Sequence, residues 1–266
     1  MRHEARKSKK IYLTMSLKGV ANMLLEIKGL SGGYGSKTVL HDINIEVDQG
    51  ELVGLIGLNG AGKSTTIKHI LGLLPVKTGS VRINRLDLAT NETEYRRQVA
   101  YIPEQPMLYE QLTLREHLRL MAQGYDVEEA VAIERANHYA ERLRMTKQLE
   151  WFPSVFSKGM KQKAMILCAL VTGSELLIVD EPFVGLDPLA IRELLQIFSE
   201  LKQDGKGILM STHILETAER HCNRFVLLHE GHIAAEGTTA ALRARYGLQD
   251  GTLDDLYVAA IEEAER

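Results

Sequence analysis

The sequence predicts a doubly wound α/β fold that carries a small β layer near its start and a mostly helical insertion in its middle. Short β-rich runs alternate with helical patterns along most of the chain. The glycine-rich stretch GLNGAGKST, residues 57 to 65, opens a helical pattern directly after an apolar strand-like run. Residues 113 to 148 have apolar side chains at helical spacing and no convincing strand.

The individual elements follow in a regular order. The first strand-like runs are LLEIK, DINIEV, LVGLIG, SVRIN and QVAYI, and the helical pattern STTIKHILGLL follows the third of them. After the insertion come the strand-like runs ELLIVD, GILMST, RFVLLHE and HIAAEG, with helices predicted from Pro188 to Lys202 and near ILETAERHC. The final stretch, LDDLYVAAIEEAE, predicts one amphipathic helix.

We divide the chain into consecutive parts on this basis. They are a basic leader (1–22), a main domain (23–240) with a helical subdomain inserted at about 104–172, and a C-terminal helical tail (241–266). We expect the leader to be disordered or to precede the true start, for which Met15 or Met23 would serve, because hydrophobic alternation begins only at LLEIKGL.

Composition limits the function classes. The 266 residues are 45% hydrophobic and 25% charged, enough for a substantial core, and carry a net charge of −3. Because the leader is basic, the rest of the chain is more acidic than this value, so no nucleic-acid partner is expected. No apolar run is long enough for a membrane helix. Cys168 and Cys222 lack a paired-ligand spacing and are expected to be ordinary thiols.

The stretch GLNGAGKST carries the phosphate-binding pattern G-x-x-x-x-G-K-[ST]. Its glycines let backbone N–H groups approach phosphate oxygens, and the start of the following helix favours negative charge. Lys63 would reach the β- and γ-phosphates, and the Ser64 hydroxyl suits Mg²⁺. A glycine-rich turn without a ligand is the alternative. The predicted nucleotide-binding residues here are Gly57, Leu58, Asn59, Gly60, Ala61, Gly62, Lys63, Ser64 and Thr65.

A second strand end supplies acidic groups. The apolar run ELLIVDEP contains Asp180 and Glu181 near its end, and charges at the carboxyl end of a parallel strand project into the crevice where α/β proteins bind ligands. We expect Asp180 to hold Mg²⁺ through its water, and Glu181 to act as general base on the attacking water. Without a phosphate loop, such a pair would more often be a turn.

Two more side chains are candidates for the same site. His213 follows the strand-like run GILMST and could donate a hydrogen bond to the γ-phosphate, although a lone histidine at a strand end is more often a polar cap. Tyr34, in GGYGSKTVL, could stack on adenine, with a packing tyrosine as the alternative.

The stretch FSKGMKQK, residues 156 to 163, precedes an apolar helical run. Ser157 can cap this helix, and Gly159 permits close backbone approach, so the helix start suits a phosphate. The stretch lies far from Lys63 along the chain, beyond the helical insertion. We therefore expect it to face the nucleotide of a second copy of the chain.

The order of the motifs resembles that in the nucleotide-binding subunit of ATP-binding cassette (ABC) transporters, over about residues 23 to 240. The motifs are, in order, the phosphate loop, the helical insertion, the S-K-G-M helix start, the strand ending in D-E, VGLD and THI. The resemblance implies a P-loop NTPase, with an ABC nucleotide-binding domain built on a RecA-like core, a small antiparallel β layer and a helical subdomain. It also implies an ATP hydrolase that sandwiches two MgATP between two copies and drives an integral membrane permease from the cytoplasmic face of the cell membrane.

The sequence departs from the family pattern at two motifs. The family signature L-S-G-G-Q is FSKGM here, which keeps Ser157 and Gly159, the residues that the resemblance places at the partner's γ-phosphate. Where the family has a glutamine before the insertion, Glu104 stands, with Gln105 one step later. Glu104 could hold Mg²⁺ but would repel the γ-phosphate. The resemblance also assigns Asp187, in GLD, to the loop through which the two copies sense each other.

Two other functions remain as alternatives. A soluble ABC-type ATPase acting on ribosomes or DNA would generally carry two cassettes, a long coiled coil or a zinc-bearing insertion, whereas this chain has one phosphate loop, no heptad run and no paired cysteines. A regulatory binding subunit would need a disabled site, but the predicted site residues are all present: Lys63, Ser64, Asp180, Glu181 and His213.

Overall fold

The computed structural model describes residues 23–265 and shows two sheets with helices packed around them. The leader predicted for residues 1–22 lies outside the described residues. From Met23 to Glu265, no helix combines the length and the apolar character needed to cross a membrane.

Most predicted runs correspond to an observed element. The strands are β1 (Met23–Tyr34), β2 (Lys37–Asp48), β3 (Leu52–Ile56), β4 (Thr78–Ile83), β5 (Leu86–Asp87), β6 (Val99–Ile102), β7 (Leu176–Asp180), β8 (Gly207–Ser211), β9 (Arg224–His229) and β10 (His232–Gly237). The helices are α1 (Lys63–Ile70), α2 (Glu92–Arg97), α3 (Leu114–Gly124), α4 (Glu129–Arg142), α5 (Lys158–Thr172), α6 (Pro188–Gln203), α7 (Leu215–His221), α8 (Thr239–Tyr246) and α9 (Leu253–Ala264). However, β1 and β2 extend up to six residues beyond the predicted runs LLEIK and DINIEV, and β5 and α2 had no predicted counterpart.

The larger sheet has the strand order β10-β9-β3-β8-β7-β6. Its strands from β9 to β6 are parallel, and β10 pairs antiparallel with β9 at one edge. All residues of β3, β7 and β8 are buried, as expected for parallel strands covered by helices on both faces. The smaller sheet, β2-β1-β4-β5, is antiparallel. The predicted α/β core and small β layer are therefore confirmed.

The register of the larger sheet brings several strand ends together. Ser211, the last residue of β8, pairs with Leu55 of β3 on one side and with Asp180 of β7 on the other. Ile102, the last residue of β6, pairs with Val179 of β7. The segments that follow these strands consequently leave the sheet at one edge, which is where parallel α/β sheets bind ligands.

Helices α3, α4 and α5 pack against one another beside the larger sheet. A capping box between Thr113 and Glu116 starts α3. The buried residues Ala132, Ala136 and Ala140 recur every four positions along α4, so this helix presents a narrow apolar face to its neighbours. Buried side chains of these helices and of β6 and β7 belong to one apolar cluster, so the inserted helices share a core with the sheet.

The C-terminal residues also contribute to the core. Because α8 begins at Thr239, the domain boundary predicted at residue 240 falls at the start of a helix. The segment predicted as a tail with one helix contains most of α8 as well as α9. An apolar cluster joins these helices to β3 and β9 through Ile56, Phe225, Leu242, Leu253, Leu256 and Ala260.

Candidate active site

Residues 57–62 connect the buried strand β3 to helix α1 and form the phosphate loop. Gly62 takes the N-cap position of α1 with a φ of 114°, a conformation that side-chain-bearing residues rarely adopt. A Cβ at this position would lie 2.7 Å from Leu40 Cδ2. Since Gly62 has no side chain to cap α1, the N–H groups of the first turn remain available to an anion.

The side chain of Lys63 folds back over this loop. Lys63 is 8% exposed, and its Nζ donates to the carbonyl of Gly57 at 2.6 Å and to that of Leu58 at 3.3 Å. Ser64, the next residue of α1, is exposed. The helix start thus offers an ammonium, a hydroxyl and backbone N–H groups, which are the donors that a phosphate requires.

Asp180 ends β7 and is 6% exposed. Its Oδ1 accepts a hydrogen bond from Ser211 Oγ of β8, and its Oδ2 accepts one from the Tyr101 hydroxyl at 3.4 Å. Burial, followed by the nearby Asp180 carboxylate, raises the pKa of Tyr101, so the hydroxyl keeps the proton that it donates. Asp180 is therefore oriented by donors on both neighbouring strands.

The donor set at this edge fits Mg²⁺, a hard cation that binds oxygen and keeps several waters. An ionised carboxylate has about four acceptor sites, so Asp180 retains capacity beside its two donors. Ser64 offers a hydroxyl from α1. Among residues 23–265, no group of three or more His, Cys, Asp and Glu side chains could hold a metal ion.

Glu181 and His213 form a direct pair at the same edge. His213 Nδ1 lies 2.8 Å from Glu181 Oε2, and the backbone N–H of His213 donates to that oxygen at 3.3 Å. Glu181 has a φ of 47°, which is unfavourable for a non-glycine residue and is often found at functional sites. The Glu181 side chain is 12% exposed and that of His213 is 65% exposed, so the pair combines a buried carboxylate with an accessible imidazole.

Tyr34 ends β1 and is held against α1. Its hydroxyl accepts a hydrogen bond from Lys68 Nζ at 3.1 Å, and this contact lowers the pKa of Tyr34. Tyr34 remains 44% exposed. Part of its ring can therefore receive a flat ligand beside the helix that follows the phosphate loop.

Residues 156–163, the signature segment, pack on a neighbouring loop of the same chain. Ser157 caps α5 by accepting a hydrogen bond from a first-turn N–H at 3.3 Å. A Cβ on Gly159 would lie 2.5 Å from the carbonyl oxygen of Gly185, so the two backbones are in close contact there. This close approach gives a structural reason for glycine at position 159.

Asp187 connects the loop that contains Gly185 to the signature segment. Its carboxylate caps α6 by accepting from Ala190 N–H at 2.9 Å, and it also accepts from Lys163 Nζ at 3.1 Å. The Ala190 contact, followed by the Lys163 contact, lowers the pKa of Asp187. Within the described chain, no hydrogen bond joins Ser157 or Asp187 to residues 57–65.

Glu104 and Gln105 follow β6, and both are exposed at the edge of the sheet that carries Asp180. The preceding residue, Pro103, accepts a hydrogen bond from Gln162 Nε2 at 3.4 Å. Gln162 lies in the signature segment and is 1% exposed. The segment that carries Glu104 is thereby tied to the start of α5.

Tyr101, Ser211 and Gln162 were missed as site residues by sequence reasoning. Each contacts a predicted residue or its neighbour from an element that lies far away along the chain. Tyr101 and Ser211 stand at or near the ends of predicted strands, which is a usable signal only once the strand order is known. Gln162 had a local signal, since it belongs to FSKGMKQK.

The ABC transporter family model matches residues 40–184, a span that contains the phosphate loop, the signature segment and the Asp180–Glu181 strand end. The chain therefore belongs to the ABC transporter family. It is an ATP-binding protein with the ABC ATPase fold, and its activity is ATP hydrolysis. The family inferred from the order of the motifs is confirmed.

Known proteins resemble the chain over most of its length. It is 50% identical over 240 residues to the ABC-type transporter ATP-binding protein EcsA of Bacillus subtilis, covering 90% of this chain and 97% of that protein. A solved ATP-binding subunit of an ABC transporter has a TM-score of 0.88 and 54% identity, over 90% of this chain and 99% of that one. The dimeric ATP-binding cassette MJ0796, in a post-hydrolysis state bound to ADP and Pi, has a TM-score of 0.73 and 24% identity, over 81% and 98% of the chains, and shows the shared fold.

Proposed function

We propose that the chain is the ATP-hydrolysing subunit of an Ecs-type transporter, in which two copies close around two MgATP and drive an integral membrane partner of the EcsB kind. The transport is export, linked to peptide handling or protein secretion. The observation that carries the proposal is the division of the phosphate-binding groups into two units. One unit is the phosphate loop with its acidic strand end, and the other is the signature segment with Asp187.

Two copies can join these units across an interface. The start of α5, capped by Ser157, offers N–H groups and a helix dipole to the γ-phosphate that another copy holds. Asp187 lies beside this helix start, where it can report on the opposite copy. The dimeric MJ0796 cassette with ADP and Pi supports such a pairing, since that protein has the same fold.

In the proposed reaction, Glu181 accepts a proton from the water that attacks the γ-phosphorus, and the bond from that phosphorus to the ADP oxygen breaks. Lys63 and the N–H groups of the loop stabilise the charge that develops on the phosphate oxygens. Bound Mg²⁺ would neutralise charge on the β- and γ-phosphates, and Ser64, Asp180 and Glu104 would hold it. His213 contacts the γ-phosphate through Nε2, because Nδ1 is turned toward Glu181.

The surface for the membrane partner is proposed on the helical subdomain. Met107, Tyr109 and Trp151 are 76%, 63% and 45% exposed. Tyr109 N–H donates to His117 Nε2 at 2.8 Å, and the Trp151 carbonyl accepts from Leu114 N–H at 3.1 Å, so both segments lie at the first turns of α3. Exposed apolar side chains grouped in this way mark partner surfaces. Docking here would hold the chain at the cytoplasmic face of the membrane.

Purification of the tagged chain from detergent-solubilised membranes tests this function. A protein with several transmembrane helices should accompany the chain in a fixed ratio. Trp151→Asp should reduce that ratio. The control is Val258→Asp in α9, where Val258 is 55% exposed, and it should leave the ratio unchanged. Recovery of ribosomal proteins or DNA in place of a membrane protein would overturn the proposal and favour the soluble ATPase.

A further inference from the structure

Helix α9 reaches the phosphate loop through one side chain. The Tyr257 hydroxyl accepts a hydrogen bond from the backbone N–H of Leu58 at 2.9 Å and donates one to the carbonyl of Leu228 in β9 at 3.3 Å. Tyr257 is 6% exposed, so water does not compete freely for these contacts. A residue near the end of the chain thus touches the first turn of the loop that binds phosphate.

The direction of these hydrogen bonds is fixed by chemistry. A carbonyl oxygen can only accept, so the hydroxyl proton of Tyr257 points to Leu228 and a lone pair remains for the N–H of Leu58. Burial raises the pKa of Tyr257, which keeps this proton in place at neutral pH. The hydroxyl is therefore a fixed acceptor for one amide of the phosphate loop.

The peptide on which Tyr257 acts is held from its other side by Lys63. Lys63 Nζ donates to the carbonyls of Gly57 and Leu58, at 2.6 and 3.3 Å. A Cβ on Gly57 would lie 2.8 Å from the carbonyl oxygen of Leu228, so the loop also packs directly on β9. When a triphosphate draws the Lys63 ammonium to its own oxygens, the Tyr257 hydroxyl still holds this peptide.

We propose that Tyr257 is a positioning residue that keeps the phosphate loop in its nucleotide-binding conformation, so that the C-terminal helix α9 sets the affinity for ATP. Tyr257 does not touch the nucleotide in this account. It acts by holding the orientation of the Gly57–Leu58 peptide. Without this contact, the loop would have to adopt that orientation when ATP binds, and this cost would reduce the free energy of ATP binding. The inference needs only ATP binding by the loop, and neither the dimer nor the membrane partner.

Tyr257→Phe tests the inference because it removes one oxygen and keeps the ring in the core. Loss of one neutral hydrogen bond should raise the KM for ATP about threefold to tenfold, with kcat at saturation changed by less than about twofold. The matched control is Tyr246→Phe, which removes a hydroxyl that contacts Glu263 Oε2 at 3.3 Å on the surface between α8 and α9. The control should keep the parental KM.

A purely structural role for the hydroxyl predicts a different pattern. In that case Tyr257→Phe would lower the melting temperature equally with and without ATP, and the KM would stay at the control value. That result, or a fall in kcat at unchanged KM, would overturn the inference. Amide exchange in the parent protein provides a readout that needs no variant: slow exchange at Leu58 without nucleotide is expected, and exchange at the rate of an open loop would also overturn it.

Discussion

Glu181 Oε2 and His213 Nδ1 lie 2.8 Å apart, so the side chains predicted to be the general base and the γ-phosphate contact are hydrogen-bonded to each other. A carboxylate can only accept a hydrogen bond, which places the Nδ1 proton on the histidine. Both ring nitrogens donate together only in the imidazolium form, which is therefore the form that the proposed γ-phosphate contact requires. The two residues consequently act as one unit and not as two independent groups.

Glu181→Gln should abolish most of the hydrolysis without loss of ATP binding. An amide keeps the shape of the side chain but cannot accept a proton from water, so kcat should fall by at least about 100-fold. Glu175→Gln is the matched control, because Glu175 lies just before β7, at its opposite end, where it pairs with Lys206 at 2.9 Å. A Glu181→Gln protein that hydrolyses ATP at the parental rate would remove Glu181 from the role of base.

His213→Ala should lower kcat by about 100-fold, since a donor to the developing phosphate charge is lost. The double variant with Glu181→Gln should have a kcat only slightly below that of the slower single variant, because the losses from residues that act as a unit do not add. His138→Ala, at an exposed position of α4, should be neutral. Steady-state rates of the single and double variants measure this, and fully additive losses would contradict the pairing.

Tyr34 should contribute to ATP affinity through its ring and not through its hydroxyl. Tyr34→Ala should raise the KM for ATP about threefold to tenfold, the range expected for loss of a stacking contact. Tyr34→Phe keeps the ring, loses the hydroxyl contacts with Lys68 and Thr65, and should stay close to the parent. Equal KM values for the alanine variant and the parent would leave Tyr34 as a packing residue of the β layer.

Asp187 should stabilise the protein by capping α6. Asp187→Ala removes an acceptor for Ala190 N–H and should lower the free energy of unfolding by about 1 kcal/mol. Asp187→Asn retains the cap and loses only the partly exposed ion pair with Lys163, so it should lie near the parent. Urea denaturation measures both variants, and equal destabilisation by alanine and asparagine would assign the effect to the ion pair instead.

Much of the core could be predicted because its motifs are contiguous. The phosphate loop and the Asp180–Glu181 strand end are each written in a few consecutive residues, and the alternation of strand and helix gave the α/β class. The Glu181–His213 pair could not be predicted as a contact, because it depends on β8 lying next to β7 in the sheet order. Such neighbours are set by long-range packing, which local periodicity does not contain.

The structure of the C-terminal segment could also be predicted only in part from its sequence pattern. Its amphipathic pattern predicted a helix, and α9 forms as expected. The pattern does not show which surface the apolar face covers, so the sequence alone predicts a tail. In the structure Leu256 and Tyr257 pack on the sheet, and the tyrosine hydroxyl meets the phosphate loop. A helix face indicates burial but does not identify its partner.

In the proposed dimer, two identical chains complete each other's phosphate sites through the start of α5. The molecular mass of the Glu181→Gln protein in saturating MgATP, measured by light scattering, tests it most directly. We expect twice the 29.8 kDa chain mass with ATP, and a single chain mass when Ser157→Asp is added, because aspartate keeps the helix cap but repels the phosphate. Ser154→Asp, three residues earlier on the exposed surface, should leave the dimer intact. A single chain mass with ATP, or a dimer that survives Ser157→Asp, would contradict the account.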